Sequence, residues 1–256
     1  MANDTFPIII LAGGKTPEKI LAAGETETDR AFLKIGDRPM LQWVLDAIRS
    51  SKAIETMLCI GNVERLAREM GLDPANLISD KGSMFENYIA GLERFRDRPL
   101  VLSTTCDVPL LTGPILDDLV AQMKTIDAEV YYPIVNIKYF DEKFPGGKRT
   151  TQKLKEGTFT GGNVFAVNPE AVIRNRARVE TVLRDRKSPA KLVRIFGVPF
   201  ILRFALQQLD LAGLEAKATQ ILGARMRGVV TPHPEIGFDV DKPSDLNLVR
   251  KIMGHA

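Results

Sequence analysis

A short apolar run near the N-terminus ends abruptly in a glycine pair, and this junction limits the fold more than any other stretch. The four residues Ile8 to Leu11 are enough for a strand buried on both faces, and the sequence then changes to Ala12-Gly13-Gly14-Lys15. The glycines let the backbone take positive φ and let a ligand approach its N–H groups, while Lys15 adds a cation. The junction favours a polyphosphate site, with a tight connecting turn as the alternative.

Length, charge and cysteine use narrow the class of protein. A chain of 256 residues can bury a substantial core, and we expect one domain over residues 1–256. The 35 basic and 32 acidic residues make a mixed surface, which does not indicate a nucleic-acid partner. Cys59 and Cys106 lie in apolar runs without a CxxC partner, as is typical of buried thiols in a reducing compartment. With no secretion signal and no apolar run of about 18 residues, we expect a cytoplasmic protein without a membrane partner.

Three aspartates can meet the glycine loop at one edge of a parallel sheet. Asp107 follows an apolar, strand-like run, so its carboxylate is expected in the crevice where open α/β sheets bind ligands. Near the C-terminus, Asp239 and Asp241 alternate with apolar residues and face the same way if the stretch is extended. Hard carboxylate oxygens suit Mg²⁺ held jointly with substrate phosphates, whereas the alternative for Asp107 is a cap on the turn before Pro109.

Six motifs, in order along nearly the whole chain, resemble the MobA-like nucleotidyltransferase family. They are LAGG at 11–14, RAFLKIGDRPML at 30–41, GSMFENYIAGL at 82–92, TTCDVPLL at 104–111, GGNVFAV at 161–167 and DVDKPSDL at 239–246. The family includes molybdenum-cofactor guanylyl- and cytidylyltransferases and is related to the sugar-1-phosphate and methylerythritol-phosphate enzymes. The resemblance implies a Rossmann-like, GT-A-like three-layer α/β fold with a mostly parallel central sheet and a small substrate-side insertion.

The resemblance also implies a reaction. A nucleoside monophosphate would pass from a nucleoside triphosphate (NTP) to a phosphorylated acceptor, with Mg²⁺ as cofactor and pyrophosphate as product, in pathways that include molybdopterin-like cofactor biosynthesis. Positioning and charge neutralisation dominate such catalysis, and an acceptor that is already an anion needs no general base. The alternatives are a GT-A-type glycosyltransferase that uses a nucleotide sugar and a non-catalytic nucleotide-binding protein. A monomer and a homodimer both remain open.

By the same resemblance, each motif contributes residues to the expected site. The expected catalytic residues are Lys15, Arg30, Lys34 and Asp107. The expected nucleotide-binding residues are Leu11, Ala12, Gly13, Gly14, Lys15, Ser83, Asn87 and Asp107. The acceptor is expected at Gly161, Gly162 and Asn163, and the metal ion at Asp107 with Asp239 or Asp241. Arg30 stands where the family carries a lysine, so either Arg30 or Lys34 fills that role, and Lys19 replaces a loop arginine.

Two segments, residues 138–160 and 170–227, are predicted to be acceptor-side insertions. The first is glycine-rich and basic. The second carries the densest positive charge of the chain, for which a solvated face is the ordinary explanation and a landing surface for an anionic second substrate is the alternative. The cations of the second segment are Arg174, Arg176, Arg178, Arg184, Arg186, Lys187, Lys191 and Arg194.

Overall fold

A computed structural model of the protein describes residues 5–185 and 189–255. Its strands are β1 (Phe6–Leu11), β2 (Lys34–Ile35), β3 (Arg38–Pro39), β4 (Ile54–Gly61), β5 (Leu77–Ser79), β6 (Val101–Thr105), β7 (Val130–Asn136), β8 (Gln152–Leu154), β9 (Gly157–Gly161), β10 (Val164–Val167) and β11 (Met226–Thr231). Its helices are α1 (Glu18–Leu21), α2 (Met40–Ser50), α3 (Val63–Met70), α4 (Met84–Arg94), α5 (Gly113–Lys124), α6 (Ile137–Lys143), α7 (Pro169–Arg174), α8 (Arg176–Asp185), α9 (Pro189–Phe196), α10 (Val198–Ala205), α11 (Leu211–Leu222) and α12 (Pro243–Ile252). Single 3₁₀ turns lie at Arg30–Phe32, Pro74–Asn76 and Pro234–Gly237.

The strand that precedes the glycine loop lies inside the parallel part of the sheet. Over the described residues, nine strands form one sheet in the order β5-β4-β1-β6-β10-β7-β9-β8, with β11 paired to β7. Strand β1 pairs in parallel with β4 and β6, while β10, β7, β9 and β8 continue the sheet in antiparallel fashion. Strand β11 adds to β7 in parallel. The predicted Rossmann-like α/β fold with a mostly parallel central sheet is confirmed.

Helices cover both faces of the sheet, and β1 contributes to the packing of each face. Ile8 and Ile10 belong to one core cluster, which includes residues of α2 and α5, and Ile9 belongs to another, with residues of α4 and α7. All three isoleucines have no exposed area. The continuous apolar run is thus explained by burial of successive side chains on opposite faces. None of the helices within the described ranges combines the length and apolar character that crossing a bilayer needs.

A break in the sheet lies beside β7, at the point where β10 and β9 meet. Gly162 donates its N–H to the carbonyl of Pro133 (2.9 Å), and Pro133 lies opposite Val229 of β11 on the other side. Because the nitrogen and the carbonyl of one strand residue point the same way, the N–H that Pro133 lacks faces this break. The proline is therefore tolerated in an interior strand, and Gly162 and Asn163 are free of the regular ladder.

Shortening one side chain of β1 tests how far the burial of this strand stabilises the fold. We expect Ile9→Ala to lower the free energy of unfolding by about 3 kcal/mol, because it removes a fully buried side chain between the sheet and α4. Val230→Ala on β11, where the valine is 49% exposed, should cost less than about 1 kcal/mol. Urea unfolding followed by circular dichroism measures both, and equal losses would contradict this account.

Candidate active site

The loop after β1 is fastened to the ends of the two neighbouring strands. Ala12 donates its N–H to the carbonyl of Ile60 (2.8 Å), and Cys106 donates its N–H to the carbonyl of Leu11 (3.2 Å). The N–H of Ala12 is therefore engaged by β4 and is not available to a phosphate. Of the predicted phosphate donors, this leaves the backbone that begins at Gly13.

Close contact, and not an unusual backbone conformation, explains the need for glycine at position 13. Gly13 and Gly14 both have φ outside the left-handed region, so the expectation of positive φ is wrong. A Cβ on Gly13 would lie 2.6 Å from Oδ2 of Asp80, whereas a Cβ on Gly14 would have its nearest neighbour, Cδ of Arg30, at 4.0 Å. The space beside Gly13 is thus taken by a carboxylate.

Asp80 is a site residue that the sequence analysis missed. Its Oδ1 accepts hydrogen bonds from the N–H of Gly82 (2.8 Å) and from Nδ2 of Asn87 (2.9 Å), and Lys81 donates its N–H to Oδ1 of Asn87 (2.6 Å). The signal was present, because Asp80 directly follows β5 in the way that Asp107 closely follows β6. The buried Asn87 therefore acts first as a support for the Asp80 loop.

A first cleft, of about 300 Å³, opens between the glycine loop and the N-terminus of α4. Ser83 caps α4, since its Oγ accepts the N–H of Glu86 (3.1 Å). Six residues of the predicted nucleotide set line this cleft: Leu11, Gly13, Gly14, Ser83, Asn87 and Asp107. With Arg30, which also lines it, the first cleft thus brings together residues from four separate motifs.

The two lysines of the predicted catalytic set point elsewhere. Nζ of Lys15 lies 2.6 Å from Asp29, its side chain is 76% exposed, and it lines a smaller cavity behind the loop. Lys34 is an exposed residue of β2, and its carbonyl accepts a hydrogen bond from Arg250 (2.7 Å). Of the two candidates for the family's lysine role, it is Arg30, not Lys34, that contacts Asp107.

The three aspartates converge although more than 130 residues separate Asp107 from the other two. Asp107, Asp239 and Asp241 each offer an oxygen atom within 4.8 Å of the others. A backbone hydrogen bond from the N–H of Val240 to the carbonyl of Asp107 (3.0 Å) joins the C-terminal segment to the end of β6. Three hard oxygens at this spacing suit a divalent cation that also binds phosphates, so the residues fit the implied Mg²⁺.

Two arginines balance much of the negative charge of this cluster. Nη2 of Arg30 lies 2.7 Å from Oδ2 of Asp107 and also contacts Asp241, and it donates to the carbonyl of Val240 (2.6 Å). Nη1 of Arg149 lies 2.5 Å from Oδ1 of Asp239. Arg149 belongs to the basic segment 138–160, and the sequence analysis did not include it in the site. With all three carboxylates ionised, the two guanidinium groups leave a net charge near −1, which a cation would offset.

The carboxylates of the cluster do not ionise equally. Burial is the main cause that raises the pKa of Asp239 to about 7; Arg149 opposes this rise, and the neighbouring charges of Asp107 and Asp241 add to it. Burial also disfavours ionisation of Asp241, but Arg30 outweighs it and holds the pKa of Asp241 below its ordinary value. Asp239 is therefore the member that retains a proton near neutral pH.

A second cleft, of about 620 Å³, lies on the far side of the aspartates. The predicted acceptor residues Gly161, Gly162 and Asn163 line it together with Asp239 and Asp241. Its cations are Lys19, Lys148, Arg149 and Lys242. The acidic cluster thus stands between the first cleft, which contains the glycine loop, and a cationic second cleft.

Comparison with known proteins assigns the family. Residues 8–217 match the family model of the MobA-like NTP transferase domain, so the chain belongs to this family of nucleotidyltransferases, as the motifs predicted. A molybdenum cofactor guanylyltransferase from Shewanella piezotolerans (strain WP3 / JCM 13877) is 25% identical over 129 residues. That match covers 49% of this chain and 58% of the relative, so it spans little more than half of the relative's length.

Two solved structures are similar over almost the whole chain. A hypothetical transferase from Thermus thermophilus superimposes with a TM-score of 0.82 and 34% identity, covering 94% of this chain and 99% of the other. A CMP:2-keto-3-deoxy-manno-octonic acid synthetase complexed with CTP has a TM-score of 0.60 and 14% identity, covering 98% of each chain. At that identity the second likeness concerns the fold alone.

Binding of a divalent cation should strengthen as the pH rises toward about 7, because the cation displaces the proton that the raised pKa of Asp239 retains. Well below that pKa, the affinity for Mg²⁺ should rise up to about tenfold per pH unit and then level off. Calorimetric titration of the protein with MgCl₂ across this range measures the effect.

Asp239→Asn should bind the cation more weakly and lose most of the pH dependence. Asp97 is exposed and lies outside the cluster, so Asp97→Asn should keep the pH dependence of Mg²⁺ affinity of the unmodified protein. An unchanged slope in Asp239→Asn would show that another group holds the proton.

Proposed function

We propose that this protein transfers a nucleoside monophosphate from an NTP to a phosphorylated acceptor, with Mg²⁺ as cofactor and release of pyrophosphate. The observation that carries the proposal is the convergence of Asp107, Asp239 and Asp241 between two clefts, one with the glycine loop and one rich in cations. Two substrates that each bear phosphates can approach this cluster from opposite sides. Cofactor biosynthesis of the molybdopterin type is one setting for such a reaction.

The glycine-loop side is assigned to the nucleotide. Gly14, which has open space beside it, lets phosphates approach the backbone, and the N-terminus of α4 at Ser83 adds a favourable dipole toward the negative charge. The carboxylate of Asp80, held by Asn87, offers hydrogen-bond acceptors to a base that carries N–H donors. These groups position the triphosphate with its α-phosphorus near Asp107.

Charge neutralisation at the α-phosphorus is assigned to Arg30 and to the Mg²⁺ that the acidic cluster would hold. Mg²⁺ held by Asp107 with Asp239 or Asp241 would supply positive charge to the phosphate oxygens. Arg30, which contacts both Asp107 and Asp241, fixes the direction of these carboxylates and adds a cation of its own. Gly161, Gly162 and Asn163 are assigned to the acceptor, whose phosphate attacks as an anion.

The two alternatives are weaker on specific grounds. A glycosyltransferase donor lacks a triphosphate and has less use for the glycine loop, and a non-catalytic protein has no need of three carboxylates that meet at one point. We assign one catalytic domain to residues 1–256, with residues 138–160 and 170–227 on the acceptor side. The proposed setting is the cytoplasm, in which the buried free thiols Cys59 and Cys106 stay reduced.

Loss of one carboxylate tests the reaction. Purified protein would be incubated with Mg²⁺, each NTP and a panel of phosphorylated acceptors, and pyrophosphate release would be followed. Asp107→Asn should lower the rate by about 100-fold or more, because it removes a charge at the reacting centre without changing the shape of the side chain. Asp127→Asn, a surface carboxylate paired with Arg225, should leave the rate within about twofold. If the unmodified protein released no pyrophosphate with any acceptor of the panel and bound no NTP by calorimetry, the proposal would be refuted.

A conservative change at Arg30 tests its role separately. Arg30→Lys keeps the charge, but the shorter lysine side chain would not place its ammonium where Nη2 of Arg30 meets Asp107, Asp241 and the carbonyl of Val240. We expect kcat to fall by about tenfold or more, with a smaller change in the affinity for NTP. Arg49→Lys, on the outer face of α2, is the matched control. A rate equal to that of the unmodified protein would remove Arg30 from the reacting centre.

A further inference from the structure

A third cavity, of about 300 Å³, adjoins both clefts and differs from them in chemistry. It shares Leu11, Met84 and Thr105 with the first cleft. It shares Tyr132, Gly162 and Asn163 with the second cleft. The cavity therefore reaches the region of Asp107 from the side of the proposed acceptor residues, and its volume is at the lower end of the range for small-molecule sites.

The walls of this apolar cavity come from the sheet and from the 170–227 segment. Strands β7 and β10 supply Val130, Phe165 and Val167, helices α7 and α8 supply Val172, Val179 and Leu183, and α11 supplies Leu222. No charged side chain of the described residues lines it, whereas the first cleft has Arg30, Asp80 and Asp107. A polar body buried here would find few partners for its hydroxyl groups, while a hydrocarbon body would lose only contact with water.

Two arginines of the 170–227 segment tie the helices that line this cavity to the rest of the fold. Arg176 of α8 lies 2.7 Å from Glu86 of α4, and Arg174 of α7 lies 3.4 Å from Glu129 beside β7. These two arginines form salt bridges that join α7 and α8 to the main layers of the fold. Arg186 and Lys187, which belong to the same basic stretch, lie outside the described residues.

We propose that the acceptor of the proposed transfer is a phosphate monoester of an apolar alcohol, with its hydrocarbon chain or ring in the apolar cavity and its phosphate at the Thr105 and Asn163 rim. This inference rests on the proposed function. An oxygen of the acceptor phosphate forms a bond to the α-phosphorus of the NTP. The bond from the α-phosphorus to the bridging oxygen breaks, and pyrophosphate leaves with that electron pair, so no proton has to move.

Binding of chosen probes tests the inference without turnover. Geranyl monophosphate and octyl phosphate would be compared with glycerol 3-phosphate and ribose 5-phosphate by calorimetry on the full chain. The titrations would be run alone and with Mg²⁺ and a non-hydrolysable NTP analogue. We expect the two apolar phosphates to bind at least about tenfold more tightly than the two polar ones. Equal affinities, or a preference for the polar phosphates, would overturn the inference.

A pair of neighbouring substitutions on α8 locates the binding. Val179→Trp should fill part of the cavity and lower the affinity for octyl phosphate by about tenfold or more. Glu180 is exposed on the same helix, so Glu180→Trp should leave this affinity within about twofold of that of the unmodified protein. Circular dichroism would check that both variants fold. The comparison of probes on the unmodified protein decides the question even if Val179→Trp does not fold.

The outcomes separate this inference from the proposed function. Pyrophosphate release with the polar phosphates alone would leave the transfer standing and would refute the apolar acceptor. Tight binding of octyl phosphate that Val179→Trp weakens, in a protein that binds no NTP, would support the cavity assignment and refute the transfer. Release of pyrophosphate with geranyl monophosphate, abolished by Val179→Trp, supports both.

Discussion

The contact of Arg30 with Asp107 and Asp241 is the interaction on which the site depends. It joins the turn before α2, the end of β6 and the C-terminal segment, which are separated by up to 211 positions in the chain. Three carboxylates within 4.8 Å would repel one another strongly in a partly buried place. The positive charge of Arg30, whose Nη2 contacts both carboxylates, relieves this repulsion, and the backbone hydrogen bond from Val240 to Asp107 keeps the segments in register.

Arg149 extends the same principle to the second cleft. It pairs with Asp239 through Nη1 and also donates to the carbonyl of Asp239 (2.8 Å), so a residue of the basic segment 138–160 enters the centre of the cluster. Its guanidinium lies 4.5 Å from the ring centroid of Phe238. An aromatic surface and a carboxylate together hold the cation in one orientation. The positive charge of this segment therefore has a specific structural use beyond a solvated surface.

The 170–227 segment is strongly basic in sequence, but the residues that it turns toward the sheet are apolar. Its sequence carries the densest positive charge of the chain, yet Arg174 and Arg176 pair with acids of the main layers. The face that it turns to the sheet supplies Val179 and Leu183 to a cavity without charged walls among the described residues. Because the inner face borders the cavity and carries no charge among the described residues, it sets the chemistry that the cavity offers to a ligand.

The sequence by itself determined where buried strands lie in the chain and which residues follow them. The run Ile8 to Leu11 predicted a strand buried on both faces, and Asp107 was predicted at the end of a parallel strand, because periodicity and strand ends are local properties. Only the tertiary structure decided the pairings: Asp80 against Gly13, Arg149 with Asp239, and Lys15 turned toward Asp29. Such pairings depend on which distant side chain fills a given space, and no local pattern records that. The pKa of Asp239 follows for the same reason, since burial and three neighbouring charges act only after the chain has folded.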